Sequence, residues 1–153
     1  QFVVMLKTSN SKYDQVIRKE DKFTEMEQKG YDLFKLNCAS CHSEPLFTNN
    51  SFENNGLEVD RTLNDFGRMK ITQNPKDSLK FKVPTLRNIQ FTFPYMHDGS
   101  LETIDEVLNH YVKGGNGHPL QNKTIVPFQL TAQERKQLKA FFNALIDTGY
   151  LNR

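Results

Sequence analysis

Tryptophan is absent from this 153-residue sequence, and cysteine occurs only twice, at Cys38 and Cys41. Any chemistry that uses both cysteines leaves no free thiol and no disulfide elsewhere in the chain. Neither sign of charge dominates: 20 Lys and Arg stand against 18 Asp and Glu, a formal net charge of +2. That balance gives no footprint for nucleic acid or another polyanion. Long apolar runs are missing as well. The longest early run, Phe2 to Leu6, is far too short to span a bilayer. It also lacks the basic flank and small-residue cleavage site of a signal peptide. Apolar residues make up only 37 % of the chain, which is low for one ordinary domain of this length. Repeats and low-complexity tracts are absent.

Against these absences stands one short run, Cys38-Ala39-Ser40-Cys41-His42. A C-x-x-C-H run is the attachment signature of c-type haem. Two cysteines three apart reach both vinyl groups, and the next residue lies below the ring as the proximal iron ligand. Two other readings of the cysteine pair remain beside it. A redox dithiol wants a βαβ context, and none is visible. A structural zinc site wants a second, closely spaced ligand pair, whereas His97, His110 and His118 are scattered singly. One covalently held haem c would also supply the apolar volume that the side chains lack, and its propionates would lower the positive total. Covalent haem attachment takes place outside the bacterial cytoplasm, which points to the periplasm or another exported compartment. The abrupt start at Gln1 reads as a cut end, with a signal sequence expected upstream.

Three helix starts carry a capping box, a Thr followed three residues later by Glu. Thr24 and Glu27 open a helix expected to run to about Asn37, with Met26, Gly30, Leu33 and Phe34 at helical spacing. Gly30 inside this helix costs stability, so a close packing contact is expected there. Thr103 and Glu106 open a second, with Ile104, Val107, Leu108 and Tyr111 as its apolar stripe and Gly114-Gly115 as its stop. Thr131 and Glu134 open a third, through Leu138, Phe141, Phe142, Leu145 and Ile146, closed by Gly149.

Between Ser43 and Ser100 the chain has little period of either kind, and Asn, Pro and Gly punctuate it. A structureless loop of that length normally argues against an assignment. A buried haem removes the objection, because the loop can wrap the ring. Helix, C-x-x-C-H, wrapping loop and C-terminal helix is the layout of class I cytochrome c. The expected fold is all-α: a class I cytochrome c-like domain with long haem-wrapping loops, its first and last helices crossing.

The sixth iron position separates functions, because a filled site passes electrons and an open one binds peroxide. Residue types leave several candidates. Met96 lies in the loop Pro94-Tyr95-Met96-His97-Asp98-Gly99, and a loop Met after an aromatic-Pro stretch is the usual partner in electron-transfer cytochromes. Met69 lies in a basic loop, and His110 points off the apolar stripe. Tyr111 falls two turns after Ile104 on the buried face, where spacing alone reads it first as a core aromatic whose hydroxyl finds a partner. Arg87, an arginine among apolar residues, needs a paired anion, and a haem propionate fits. Arg68, after Gly67, is the second such candidate. Either arginine also reads as a solvated surface residue.

Phe81-Lys82-Val83-Pro84-Thr85-Leu86-Arg87-Asn88, followed by Pro94-Tyr95-Met96-His97-Asp98-Gly99-Ser100, resembles the C-terminal haem domain of the bacterial dihaem cytochrome c peroxidase and MauG family. The likeness covers nearly the whole chain, including Pro45-Leu46-Phe47-Thr48 and Asp65-Phe66-Gly67-Arg68. It implies a second, peroxide-reactive haem in an N-terminal domain of the same parent protein. Residues 1–20 would then be a residual interdomain segment and 21–153 the haem domain. It implies that the sixth ligand comes from the helix after Pro94-Tyr95-Met96-His97-Asp98-Gly99, at Tyr111, the MauG-type choice. A phenolate there favours ferric and higher-valent iron and lowers the potential relative to Met. It further implies an interdomain calcium that uses the backbone carbonyls of Thr92 and Pro94. The tryptophan that often lies between the two haems has no counterpart here.

Three functions follow as expectations. The first is an electron-relay haem domain of a dihaem peroxidase or MauG-type oxidoreductase, fed by an electron-donor protein. The second is a stand-alone monohaem carrier with His42 and Met96 as ligands. The third is a peroxidase in its own right, with an open sixth site and His97 or His110 assisting proton transfer.

Overall fold

The structure, a computed structural model, describes residues 9–60, 62–147 and 149. The apolar run from Phe2 to Leu6 lies outside them. Five α-helices are formed among the described residues: α1 (Lys12–Ile17), α2 (Glu25–Asn37), α3 (Met69–Thr72), α4 (Ile104–Val112) and α5 (Ala132–Asn143). None is long and apolar enough to cross a membrane.

All three expected capping boxes are made. Thr24 accepts from the Glu27 N–H while Glu27 accepts from the Thr24 N–H, and the Thr103–Glu106 and Thr131–Glu134 pairs repeat the arrangement. A fourth box, Ser11 with Asp14, opens α1 and has the same logic with a shorter acid. Helix α2 ends at Asn37, as its sequence suggests. Helix α5 does not run on to Gly149; it stops at Asn143. The reason is tertiary. The Ala144 carbonyl accepts from the Tyr13 N–H at 2.9 Å and the Leu145 carbonyl from the Asn88 N–H at 3.3 Å. Asn88 Oδ1 accepts in turn from the Asp147 N–H at 2.8 Å. Backbone groups that would have extended the helix are spent on other segments.

Helices α2 and α5 cross at Gly30. A Cβ at Gly30 would run into the Gln137 carbonyl and lie 2.9 Å from the Phe141 Cβ. Only a residue without a side chain lets the two backbones meet this closely. Aromatic rings fill the crossing: Phe34 lies 5.2 Å from Phe141 and 5.4 Å from Phe47, centroid to centroid. Tyr13 of α1 meets Phe47 edge-on at 4.7 Å. These four rings are buried, so α1, which falls in the stretch 1–20, contributes a core residue. Gly30→Ala should destabilise the protein by about 1–3 kcal/mol through overpacking. The midpoint of denaturant unfolding at unchanged slope measures it.

The fold is not purely helical. A two-stranded antiparallel ladder joins β1 (Phe52–Glu53) to β2 (Phe81–Lys82), with Phe52 opposite Lys82 and Glu53 opposite Phe81. The aperiodic stretch also holds α3 and two 3₁₀ turns, Pro75–Asp77 and Ile89–Phe91. The ladder continues through the Val83 N–H to the Ser51 carbonyl at 2.9 Å, and Thr48 Oγ1 donates to the Val83 carbonyl at 2.6 Å. These bonds tie the two arms of the long loop together and satisfy backbone groups that no long helix could take.

Candidate haem site

Helix α2 delivers the C-x-x-C-H run. Cys38 caps its C-terminus with an N–H bond to the Phe34 carbonyl at 2.8 Å, and the His42 N–H returns to the Cys38 carbonyl at 2.9 Å. The motif is thus a tight turn hung on the last turn of the helix. Both thiols are free. Burial pushes the Cys38 thiol up to about 12 and raises Cys41 as well. A redox dithiol needs the opposite, a thiolate favoured by a helix N-terminus or a nearby cation. No group of three or more His, Cys, Asp or Glu able to hold a metal ion is present among the described residues. Two half-buried thiols on one turn beside a histidine suit thioether attachment of haem c better than a redox dithiol or a zinc site.

The His42 ring is oriented for that role. Its Nδ1 faces the Phe47 carbonyl at 3.1 Å and the Pro84 carbonyl at 3.0 Å. Two carbonyls can only accept, so Nδ1 carries the proton and Nε2 holds the lone pair. Burial also lowers the pKa of this imidazole, which keeps it neutral. An orienting hydrogen bond on the far nitrogen is the usual support of a metal-binding histidine. Pro84 belongs to the Val83-Pro84-Thr85-Leu86-Arg87-Asn88 segment, which gives that segment a physical task.

Tyr111 comes from α4, whose start is fixed by the Thr103–Glu106 box. Burial raises its pKa, the Asn55 side chain acts against that rise, and Cys38 and Cys41 add to it. The phenol therefore shares its surroundings with both thiols and with Asn55. Met96 is half-buried, and its Sδ accepts from Asn55 Nδ2 at 3.3 Å. Helix α2 presents Cys38, Cys41 and His42 on one turn, and Asn55 ties the Met96 loop to α4 through the Met96 sulfur and the His110 ring.

Other expected site residues lie differently. Arg87 is buried and does have its anion, but the anion is Asp14. Arg87 Nη1 and Nη2 donate to the Asp14 carboxylate at 2.9 and 2.8 Å, and Nε and Nη2 donate to the Pro45 carbonyl at 3.1 and 2.8 Å. The planar fork is thus met bidentately from α1. Arg68 lies over the Phe52 ring at 4.3 Å, with Asp77 3.7 Å from its Nε. That leaves it a loop-pinning role on an exposed face. His97 is exposed and stacks on Phe81 at 3.6 Å. Met69 is the first residue of the short helix α3. His110, expected off the buried stripe, is instead 6 % exposed, and its Nε2 meets the Asn55 carbonyl at 2.9 Å. Thr92 and Pro94 are exposed, and among the described residues their carbonyls accept no hydrogen bond. They offer two of the roughly six to eight oxygens that calcium takes.

Asn55 and Asp14 escaped the sequence reading. Asn54-Asn55-Gly56 looks like turn punctuation, and it is one: the Asn54 and Asn55 side chains accept from the Gly56 and Leu57 N–H groups. Nothing local reveals that the Asn55 amide also donates to the Met96 sulfur.

The cytochrome c family pattern matches residues 27–145. The methylamine utilization protein MauG of Methylorubrum extorquens is 39 % identical over 122 residues, covering 77 % of this chain and 34 % of its own length. The cytochrome c peroxidase Ccp of Escherichia coli is 41 % identical over 112 residues, covering 69 % of this chain and 24 % of its own. This chain thus spans about a third or less of those two relatives. A MauG-like protein associated with microbial copper homeostasis superposes with a TM-score of 0.84 at 34 % identity, over 91 % of this chain and 52 % of that one. The dihaem peroxidase BthA from Burkholderia thailandensis shares the fold, with a TM-score of 0.74 at 21 % identity over 93 % of this chain and 47 % of that one. A motif that binds haem c, the matching fold and these relatives agree: the chain is a haem-binding cytochrome c family domain of the MauG and dihaem cytochrome c peroxidase group.

Proposed function

We propose that this chain is the electron-relay haem domain of a dihaem MauG- or peroxidase-type oxidoreductase. Cys38 and Cys41 would hold one haem c, and His42 and Tyr111 would be its iron ligands. The observation that carries this is the Cys38 to His42 run hung on the last turn of α2 with the His42 Nδ1 held by the Phe47 and Pro84 carbonyls, and Tyr111 of α4 is the second ligand that the family resemblance supplies. The haem supplies one-electron chemistry when bound. The chain's own residues supply the rest. Phe47 and Pro84 hold the imidazole tautomer through Nδ1. With His42 and Tyr111 both holding the iron, this site would leave no place for peroxide, and peroxide chemistry would fall to the other haem domain of the parent protein. An exported electron-donor protein would be the reductant, and the periplasm the compartment. Thr92 and Pro94 would contribute carbonyls to a calcium completed by that other domain.

The half-buried Met96 sulfur favours a second reading, a monohaem carrier with His42 and Met96 as ligands. One pair of variants separates them. In the haem-loaded protein, Tyr111→Phe should convert the ferric optical and EPR spectra to a high-spin form, and Met96→Leu should leave them unchanged. The reverse pattern would replace the relay reading by the carrier. A second C-x-x-C-H motif in the parent reading frame is also expected; without one the relay proposal fails.

A further inference from the structure

We infer that Arg87 and Thr85 are positioning residues for His42: they staple the Pro45–Phe47 loop to the Pro84 segment, so that two carbonyls converge on the imidazole Nδ1 and lower the reduction potential of the haem. The inference rests on His42 being the proximal ligand in the haem reading above, and it is independent of which residue takes the sixth position.

The staple is three consecutive carbonyls met by three consecutive residues. The Pro45 carbonyl accepts from Arg87 Nε at 3.1 Å and from Nη2 at 2.8 Å. The Leu46 carbonyl accepts from Thr85 Oγ1 at 2.6 Å. The Phe47 carbonyl accepts from the Leu86 N–H at 3.3 Å. Thr85 Oγ1 also accepts from the Arg87 N–H at 3.2 Å, which fixes the shape of its own segment. Arg87 and Pro45 are 42 residues apart in sequence, so nothing local keeps the two segments in register. Asp14 holds the other edge of the guanidinium, and the Arg87 side chain is only 7 % exposed. The fork therefore has one orientation, aimed at Pro45.

Phe47 needs this support. Its φ of +54° lies in the left-handed region, which phenylalanine adopts only when its surroundings impose it. Its ring is fully buried against Tyr13 and Phe34. With the ring pinned on one side and the loop carbonyls on the other, the Phe47 carbonyl is turned to His42 Nδ1 at 3.1 Å, beside the Pro84 carbonyl at 3.0 Å. A carbonyl that accepts from Nδ1–H makes the imidazole a more basic metal ligand. A more basic ligand favours the ferric state. Without the staple, Phe47 is free to leave its left-handed backbone, its carbonyl turns from the ring, and the potential rises.

The test uses the haem-loaded chain. Thr85→Val keeps the side-chain shape and removes the hydroxyl. Arg87→Lys keeps a positive charge beside Asp14 and loses the planar fork that spans Asp14 and Pro45. Either variant should raise the reduction potential and speed hydrogen exchange of the His42 Nδ1–H by about tenfold, the effect of losing one ordinary hydrogen bond. Leu138→Ala is the control: it removes buried apolar volume from α5 and costs stability without touching these bonds. Its potential should equal that of wild type. Wild-type potential and exchange in both Thr85→Val and Arg87→Lys would overturn the inference. An equal rise of potential in Leu138→Ala would overturn it too, because lost stability would then account for the effect. Neither result bears on the sixth ligand; an unchanged spectrum in Tyr111→Phe sinks the relay reading and leaves the staple in place.

Discussion

Asp14→Ala should destabilise the haem-loaded protein by about 3–5 kcal/mol, the cost of leaving a buried charge without its partner. The Arg87 and Asp14 side chains are only 7 % and 12 % exposed, so water cannot replace the lost carboxylate. The same substitution breaks the capping box of α1, since Asp14 Oδ2 accepts from the Ser11 N–H at 2.9 Å and from its hydroxyl at 2.7 Å. Tyr13 lies in that helix, so the loss reaches the aromatic core. Chemical unfolding followed by the haem spectrum measures it. A loss below about 1 kcal/mol, the range of an exposed pair, would show that the ion pair is not buried in solution. Replacing Arg87 by Met in the Asp14→Ala background should recover part of the loss, because an apolar pair is better than an orphaned guanidinium.

The pair also predicts an acid limb. Burial alone would push the Asp14 carboxyl up, but hydrogen bonds from Arg87 and Ser11 outweigh it and hold it below the ordinary carboxylate range. A carboxyl with a depressed folded pKa contributes stability that is fully present above its unfolded value of about 3.9 and is lost as the pH falls through the folded value. Wild type should therefore shed this contribution only below about pH 4. Asp14→Ala should show a flatter acid limb over the same window.

Tyr111→Met should raise the reduction potential on the order of 0.1 V, within the roughly 0.8 V that axial ligands span. A phenolate stabilises ferric iron, whereas a thioether stabilises ferrous iron, so the direction follows from ligand charge and softness. Methionine is close enough in length to reach the place of the phenol, and α4 keeps its capping box, so the helix should persist. Spectroelectrochemical titration of the haem-loaded chain reads the shift. A potential equal to wild type would show that Tyr111 is not at the iron.

Much of this site was legible without coordinates, and the reason is locality. The Cys38 to His42 run states its chemistry within five residues, and Thr24 with Glu27 states a helix start within four. Gly30 announced a close crossing because glycine inside a helix is otherwise a cost. Arg87 needed an anion, and the anion was found in α1, 73 residues away in sequence. His110 was misplaced for a similar reason: an apolar stripe assigns faces by polarity, and cannot foresee that the Asn55 carbonyl will satisfy an inward imidazole. The strands β1 and β2 were missed because two residues each are too few for any period to register.

The sequence alone determined that Cys38 to His42 forms a haem c attachment motif, where the helices begin, and which family the chain resembles. Those signals are covalent or lie within one helical turn, so neighbours along the chain are sufficient to set them. Tertiary structure alone decided that His42 is oriented by Phe47 and Pro84, that Arg87 answers Asp14, and that the Asn55 amide meets the Met96 sulfur. Partners separated by many residues are chosen by how α2, α4, α5 and the long loop pack, and no local preference encodes that choice.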